Sequence, residues 1–62
     1  MLEYLTPQEI AEILKISYEK ALEFIKYSGV KYTKIGRLYR VEKNTLLNFL
    51  QKNGEYGIRI SP

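Results

Sequence analysis

Residues 31–41 read KYTKIGRLYRV, and this stretch limits the possible folds of the chain more than any other. Tyr, Thr, Ile and Val, which favour strands, occur on both sides of a Gly-Arg pair with a period of two. This pattern predicts a β-hairpin. Its register stays open, because a two-residue loop would place Ile35 and Leu38 on one face and Lys34 and Tyr39 on the other. A longer loop at the tip would remove that conflict.

The hairpin lies in the most basic part of the chain. Residues 24–41 contain five of the ten basic residues and no acidic residue. The other 44 residues contain five basic and seven acidic residues, so the net charge of +3 combines a +5 segment with a slightly acidic remainder. This asymmetry predicts a surface that binds a polyanion. The five basic residues of the segment are Lys26, Lys31, Lys34, Arg37 and Arg40.

Two short helices are predicted before the hairpin. Residues 6–9, Thr-Pro-Gln-Glu, form a capping box with Pro at the first helical position, and the first helix should end near Leu14. Ser17 caps a second helix over 18–27, and Ser28-Gly29 ends it in a left-handed turn. Two short helices joined by so tight a turn fit a helix-turn-helix. Their apolar positions are Ile10, Ala11, Ile13 and Leu14, then Ala21, Leu22, Phe24 and Ile25.

A third helix is predicted after the hairpin, over 43–52, and Asn53-Gly54 should end it. We therefore expect one domain over 1–54 and a tail over 55–62. The tail has alternating apolar residues but no helix signal, so it is a short strand, is disordered until it meets a partner, or folds back on its own core. The apolar residues are Leu46, Leu47, Phe49 and Leu50 in the helix and Tyr56, Ile58 and Ile60 in the tail.

The residue inventory argues against an enzyme. The chain has 62 residues, no Cys, no His and no Asp, so it lacks the usual metal ligands and general bases. Residues 17–20 match the S-x-x-K pattern of serine acyl enzymes, but so short a chain supplies no substrate pocket or oxyanion hole. We expect no catalysis, cofactor or metal. No signal peptide or long apolar run is present, which predicts a cytoplasmic protein without membrane contact.

The order of capped helix, tight turn, capped helix, basic hairpin and helix resembles the excisionase-type winged helix-turn-helix family, close to the MerR-like DNA-binding domains. The resemblance covers about residues 5–50. It implies a mainly α fold with a small β-hairpin, in the order α-α-β-β-α. It also implies a protein that bends or coats duplex DNA and assists a recombinase or integrase. The segments that carry it are Leu5–Leu14, Ile16-Ser17, Ile35–Val41 and Leu46 with Phe49-Leu50.

The second helix of such a fold enters the major groove with its N-terminal end. At 100° per residue its outward face is Glu19, Glu23 and Lys26, where the family favours Arg or Lys. A Glu can accept a hydrogen bond from the amino group of cytosine, so the two acids are base contacts, a solvated face, or a docking face for a protein. The residues expected at the N-terminal end are Ser17, Tyr18, Glu19 and Lys20.

The hairpin is the stronger candidate for DNA contact. Its basic residues recur at every third position, and an Arg at the tip suits the narrow minor groove of A·T-rich DNA. Four or five phosphate contacts would give a log–log salt slope of roughly −4. The alternative is that these charges only keep an edge strand soluble. The residues concerned are Lys31, Lys34, Arg37 and Arg40.

These patterns predict an excisionase-like DNA-binding protein that binds repeated sites and arranges DNA for a site-specific recombinase. A small transcriptional regulator and a protein-interaction adaptor that uses the acidic face of the second helix are the alternatives. If the tail pairs with the hairpin of a neighbouring copy, the protein would also associate head to tail along DNA.

Overall fold

The computed structural model describes residues 2–54 and 57–60. It contains three helices and a three-stranded antiparallel sheet, which confirms the prediction of a mainly α winged helix-turn-helix. The elements are β1 (Tyr4–Leu5), α1 (Pro7–Leu14), α2 (Tyr18–Tyr27), β2 (Thr33–Ile35), β3 (Leu38–Glu42) and α3 (Lys43–Asn53).

The capping box of α1 forms as the sequence predicts. The Thr6 N–H donates to the Glu9 carboxylate at 2.8 Å, and the Glu9 N–H donates to the Thr6 hydroxyl oxygen at 3.0 Å. After α1 the chain turns at Lys15, whose φ of 56° is the only positive value at a described non-glycine residue. This left-handed residue ends α1 and sends the chain into the short turn before α2.

Both ends of α2 also agree with the prediction. The Lys20 N–H donates to the Ser17 hydroxyl oxygen at 3.1 Å, which caps the first turn. Gly29 follows the helix with φ of 97°, a conformation that residues with a Cβ rarely adopt. The side-chain oxygen of Ser28 accepts from the Val30 N–H at 3.3 Å. The first two helices therefore form the expected helix-turn-helix.

The sheet has one strand that the sequence did not reveal. β1 pairs antiparallel with β3, with Leu5 opposite Val41, so the strand order is β1-β3-β2. A strand of two residues is too short to show a period of two, which is why no pattern predicted it. The Lys43 N–H donates to the Glu3 carbonyl at 2.8 Å, which joins the N-terminal segment to the start of α3.

The hairpin has the two-residue loop, which fixes the register that the sequence left open. Ile35 pairs with Leu38 across the turn, and Gly36 has φ of 61°. A glycine with positive φ at the first loop position is the arrangement of a type II′ hairpin turn. The two-residue loop places the apolar Ile35 and Leu38 on one face of the hairpin and Lys34 and Tyr39 on the other. Ile35 and Leu38 remain 64% and 54% exposed.

The core lies between the helices and one face of the sheet. Ile13 and Leu47, two of the apolar helix positions noted in the sequence, are exposed, because each lies about 100° round its helix from the centre of the buried face. Ile58 and Ile60 are half-buried and pack against the core, whereas Tyr56 lies outside the described residues. Residues 57–60 form neither helix nor strand. The buried residues are Leu5, Ile10, Ala11, Ala21, Phe24, Ile25, Val30, Val41 and Leu46.

Candidate nucleic-acid interface

A groove of about 330 Å³ separates the helix-turn-helix from the hairpin. We call it the wing groove. Three of its ten lining residues are basic and none is acidic, so a bound group in it would face only positive charge. The lining residues are Thr6, Pro7 and Gln8 from the start of α1, Tyr18, Leu22 and Lys26 from α2, and Arg37, Leu38, Tyr39 and Arg40 from the hairpin.

The α2 wall of the wing groove is one stripe of the helix. Tyr18, Leu22 and Lys26 are spaced by four residues, so their side chains follow one another along the same face. Tyr18 is exposed and Leu22 is half-buried. Lys26 therefore lines the groove. Glu19 and Glu23, which the sequence placed with it on the outward face of α2, lie beside this stripe and not on it. The stripe combines a phenol hydroxyl, an apolar side chain and an ammonium group.

The Tyr39 ring connects the basic residues of the two walls. The Nζ atoms of Lys34 and Lys26 lie 5.3 Å and 5.7 Å from its centre, within the range of cation–π attraction. The Tyr32 ring packs against it at 5.6 Å, and Arg40 donates from Nη1 to the Tyr39 carbonyl at 2.7 Å. Since Tyr39 is half-buried against the core, it holds these cations on a fixed support.

The two acids of α2 differ in their surroundings. Glu23 is half-buried, and its Oε1 lies 3.4 Å from the Nζ atom of Lys20. Glu19 is exposed and has no ion-pair partner within the described residues. From the sequence, both carboxylates could contact a base, face solvent or dock a protein. In the structure, only Glu19 can accept a hydrogen bond from a new donor without losing an ion pair.

Comparison with known families agrees with this geometry. A family model described as "Helix-turn-helix domain" matches residues 4–54, which is most of the chain. The chain belongs to the helix-turn-helix domain family. Membership supports DNA binding as the activity of this domain. The family is typically non-enzymatic. No curated protein and no solved structure matched the chain.

The DNA-contact residues predicted from the sequence fall into two groups in the structure, those at the wing groove and those outside it. Tyr18, Lys26, Arg37 and Arg40 meet at the wing groove, and Lys34 adjoins it through the Tyr39 ring. Elsewhere, Lys31 lines a second depression together with Glu42. Ser17, Glu19, Lys20 and Glu23 do not line the groove, and the Ser17 hydroxyl already accepts the cap hydrogen bond of α2.

Sequence reasoning missed the contribution of α1 to the wing groove. Thr6, Pro7 and Gln8 line it because the first turn of α1 lies beside α2 and the hairpin. The only signal these residues carry is the capping box, which locates a helix end but not the neighbours of that end.

Within the same described ranges, 2–54 and 57–60, no helix is long and apolar enough to cross a bilayer.

Local hydrogen bonds change the acidity of Glu42. As the N-cap of α3 it accepts from the backbone N–H groups of Asn44 and Thr45, each at 3.1 Å, and from the Thr45 hydroxyl at 3.3 Å. The bond from Asn44 is the main reason why the pKa of Glu42 lies below its ordinary value, and partial desolvation opposes the effect. The charge of Glu42 is therefore committed to holding the start of α3.

Proposed function

We propose that this protein binds duplex DNA through α2 and the hairpin together, as an architectural factor similar to excisionases. The wing groove carries the proposal, because three cations and no acid line a concave surface beside a helix-turn-helix. Charge of one sign in a cleft concentrates a polyanion such as DNA. The exposed N-terminal end of α2 enters the major groove, and the hairpin follows the backbone towards the adjacent minor groove.

The basic residues supply affinity and α2 supplies discrimination. Lys26, Lys34, Arg37 and Arg40 neutralise phosphates, and each contact releases condensed counterions, so binding weakens as salt rises with a log–log slope of roughly −4. Tyr18 adds a hydroxyl donor to a phosphate at the edge of the wing groove. Ser17 and Lys20 hold the first turn of α2 in place, and Lys31 adds charge outside the groove.

The recombination role rests on the resemblance of the capped helices and the Gly-Arg hairpin to excisionases. In this role the protein occupies repeated sites, bends the DNA between them and assists an integrase. A transcriptional regulator would use the same interface. Where an integrase gene is found beside this gene, an excision reaction with that integrase distinguishes them: excision that requires this protein supports the proposal, and excision that proceeds equally without it contradicts the recombination role.

The DNA-binding proposal is tested with two pairs of charge changes. Lys26→Ala with Arg37→Ala removes two cations from the wing groove, whereas Lys52→Ala with Arg59→Ala removes two exposed cations that do not line it. Fluorescence anisotropy on a short A·T-rich duplex, over a series of salt concentrations, measures affinity and slope. We expect the first pair to reduce the magnitude of the slope by about 2 and to weaken binding at low salt.

The control pair should leave the slope close to that of the natural protein. Equal losses for both pairs would mean that the net charge, and not the wing groove, attracts DNA. Binding that survives the first pair unchanged would refute the placement of the phosphate contacts. Absence of binding by the unaltered protein at low salt would refute DNA binding itself.

A further inference from the structure

The outer face of the hairpin ends in two exposed aliphatic side chains. Ile35 and Leu38 are cross-strand partners directly before and after the Gly36-Arg37 turn, so their side chains lie next to each other on one face. They are 64% and 54% exposed. Tyr39, the next residue of β3, points to the opposite face and packs against the core. The tip therefore presents a paired apolar surface to solvent.

Such a pair at the end of a hairpin is unusual for a soluble protein. Exposed strand edges are ordinarily protected by charges or by proline, and isolated exposed apolar residues need no explanation. Here the two residues form a continuous surface, and Tyr4, on the same outer face, is 50% exposed. The two-residue turn imposes this arrangement, because pairing of Ile35 with Leu38 directs both side chains away from the core.

We propose that Ile35 and Leu38 form an apolar wedge that enters a base step from the minor groove, unstacks it and kinks the duplex. This inference rests on the DNA binding proposed above. Charge complementarity favours DNA as the occupant: Arg37 is at the tip, Arg40 lies two residues from Leu38 on the same outer face, and residues 24–41 contain no acid. A protein that covered this tip would itself have to be acidic.

The chemistry of a kinked base step suits the pair. Unstacking exposes the apolar faces of two bases, and Ile and Leu side chains are among those that proteins insert between base steps. The minor groove is only about 6 Å wide, so a two-stranded ribbon enters it only where the groove opens. Bending towards the major groove opens it at the kink, and pyrimidine–purine steps such as TpA unstack most readily. The wedge should therefore prefer TpA steps within A·T-rich DNA.

The test measures unstacking and bending separately from binding. The probe is a short A·T-rich duplex in which 2-aminopurine replaces the adenine of a TpA step, since its fluorescence rises when it is unstacked. A second copy of the duplex carries a donor and an acceptor dye at its ends. On adding the unaltered protein we expect the 2-aminopurine signal to rise and energy transfer between the ends to increase.

Ile35→Thr with Leu38→Thr removes the wedge and keeps strand propensity and charge. We expect this variant to lose both signals while its salt slope is unchanged, because the slope reports phosphate contacts. The matched control is Ile13→Gln with Leu47→Gln, which removes two exposed aliphatic residues, 48% and 42% exposed, from the helices. The control should retain both signals.

Leu38→Phe keeps the test decisive if the threonine variant fails to fold by circular dichroism. A larger apolar side chain at the tip should raise the 2-aminopurine signal above that of the unaltered protein. An unchanged signal would overturn the inference, as would unstacking that persists in a folded threonine variant.

The two proposals fail in different ways. If anisotropy shows binding by the unaltered protein but neither probe changes, DNA binding stands and the wedge is refuted. If the unaltered protein does not change the anisotropy of the duplex at low salt, the proposed function fails and the wedge with it.

Discussion

Glu19 and Glu23 lie one turn apart on α2, but only Glu23 has a charged partner among the described residues. An exposed pair such as Glu23 with Lys20 contributes a few tenths of a kcal/mol to stability. The more important effect of this ion pair is that the Glu23 carboxylate already has a charged partner. The free carboxylate of Glu19, close to the N-terminal end of α2, is the group that can accept a hydrogen bond from a cytosine amino group in the major groove.

Glu19→Gln should therefore relax base preference at one position of the bound site, and Glu23→Gln should not. Selection of binding sequences from a random duplex pool, carried out with each variant, measures the preference. A Glu19→Gln protein that keeps its preference and binds every sequence slightly more tightly would show that Glu19 is a solvated residue. Loss of a bound protein, with DNA binding unchanged, would instead favour the adaptor hypothesis.

Glu42 makes the stability of the domain depend on pH. Because its pKa is lower in the folded chain, its contribution to folding is complete above the ordinary value of 4.5 and is lost as pH falls through the lowered value. Glu42→Gln should lower the Tm at neutral pH, and the difference from the unaltered protein should shrink below pH 4.5.

Thermal unfolding followed by circular dichroism at neutral and acid pH measures this effect. Glu12→Gln, which changes an exposed carboxylate within α1, is the control and should have little effect at either pH. A Tm difference for Glu42→Gln that stays constant across the acid range would mean that lost packing, and not lost charge, destabilises the variant.

The hairpin is the element whose shape depends on a single backbone conformation. Gly36 has φ of 61°, and a Cβ added there would meet no atom within 4 Å, so a substitution is penalised only through the backbone. Gly36→Ala should cost about 1–2 kcal/mol of the free energy of unfolding, and Gly36→Asn less, since Asn tolerates left-handed conformations. Denaturant unfolding measures the loss.

Gly54→Ala is the matched control for Gly36→Ala. Gly54 also has open space around its Cα, but its φ is −68°, which any residue adopts. We expect this change to be neutral or to stabilise the protein by about 0.4–1 kcal/mol, because alanine restricts the unfolded chain. Equal losses at the two glycines would show that strain at the tip of the hairpin is not the cause.

At the scale of the whole molecule, the C-terminal segment adds to the core. Ile58 and Ile60 are half-buried against it, which favours a tail that folds back over one that pairs with a neighbouring copy. Truncation after Gly54 should reduce the free energy of unfolding by roughly 2–3 kcal/mol through lost apolar burial. Binding to DNA with repeated sites should keep its cooperativity at a temperature where the truncated chain is folded.

Arg59→Ser is the control for the truncation, since Arg59 is exposed between the two isoleucines and its removal should not affect stability. Unchanged stability of the truncated chain, together with lost cooperativity, would favour head-to-tail association through the tail. A division of the chain into a domain over 1–54 and a separate tail remains a prediction that this measurement addresses.

Helix boundaries and the hairpin were accessible from the sequence because their causes are local. The Thr6–Glu9 capping box, the Ser17 cap and Gly29 each act through atoms within a few residues, so their signals are visible in a short window. The basic character of residues 24–41 is likewise a property of composition. These features, together with the family resemblance that they carry, predicted the winged helix-turn-helix and a surface for a polyanion.

Tertiary packing decided the features that depend on contacts between distant segments. β1 exists only because Leu5 meets Val41, and the wing groove exists only because the start of α1 lies beside α2 and the hairpin. The exposure of Ile35 and Leu38 was equally undetermined by pattern. Periodicity shows which residues share a face, but only the folded chain shows what that face meets, because burial depends on neighbours far away in sequence.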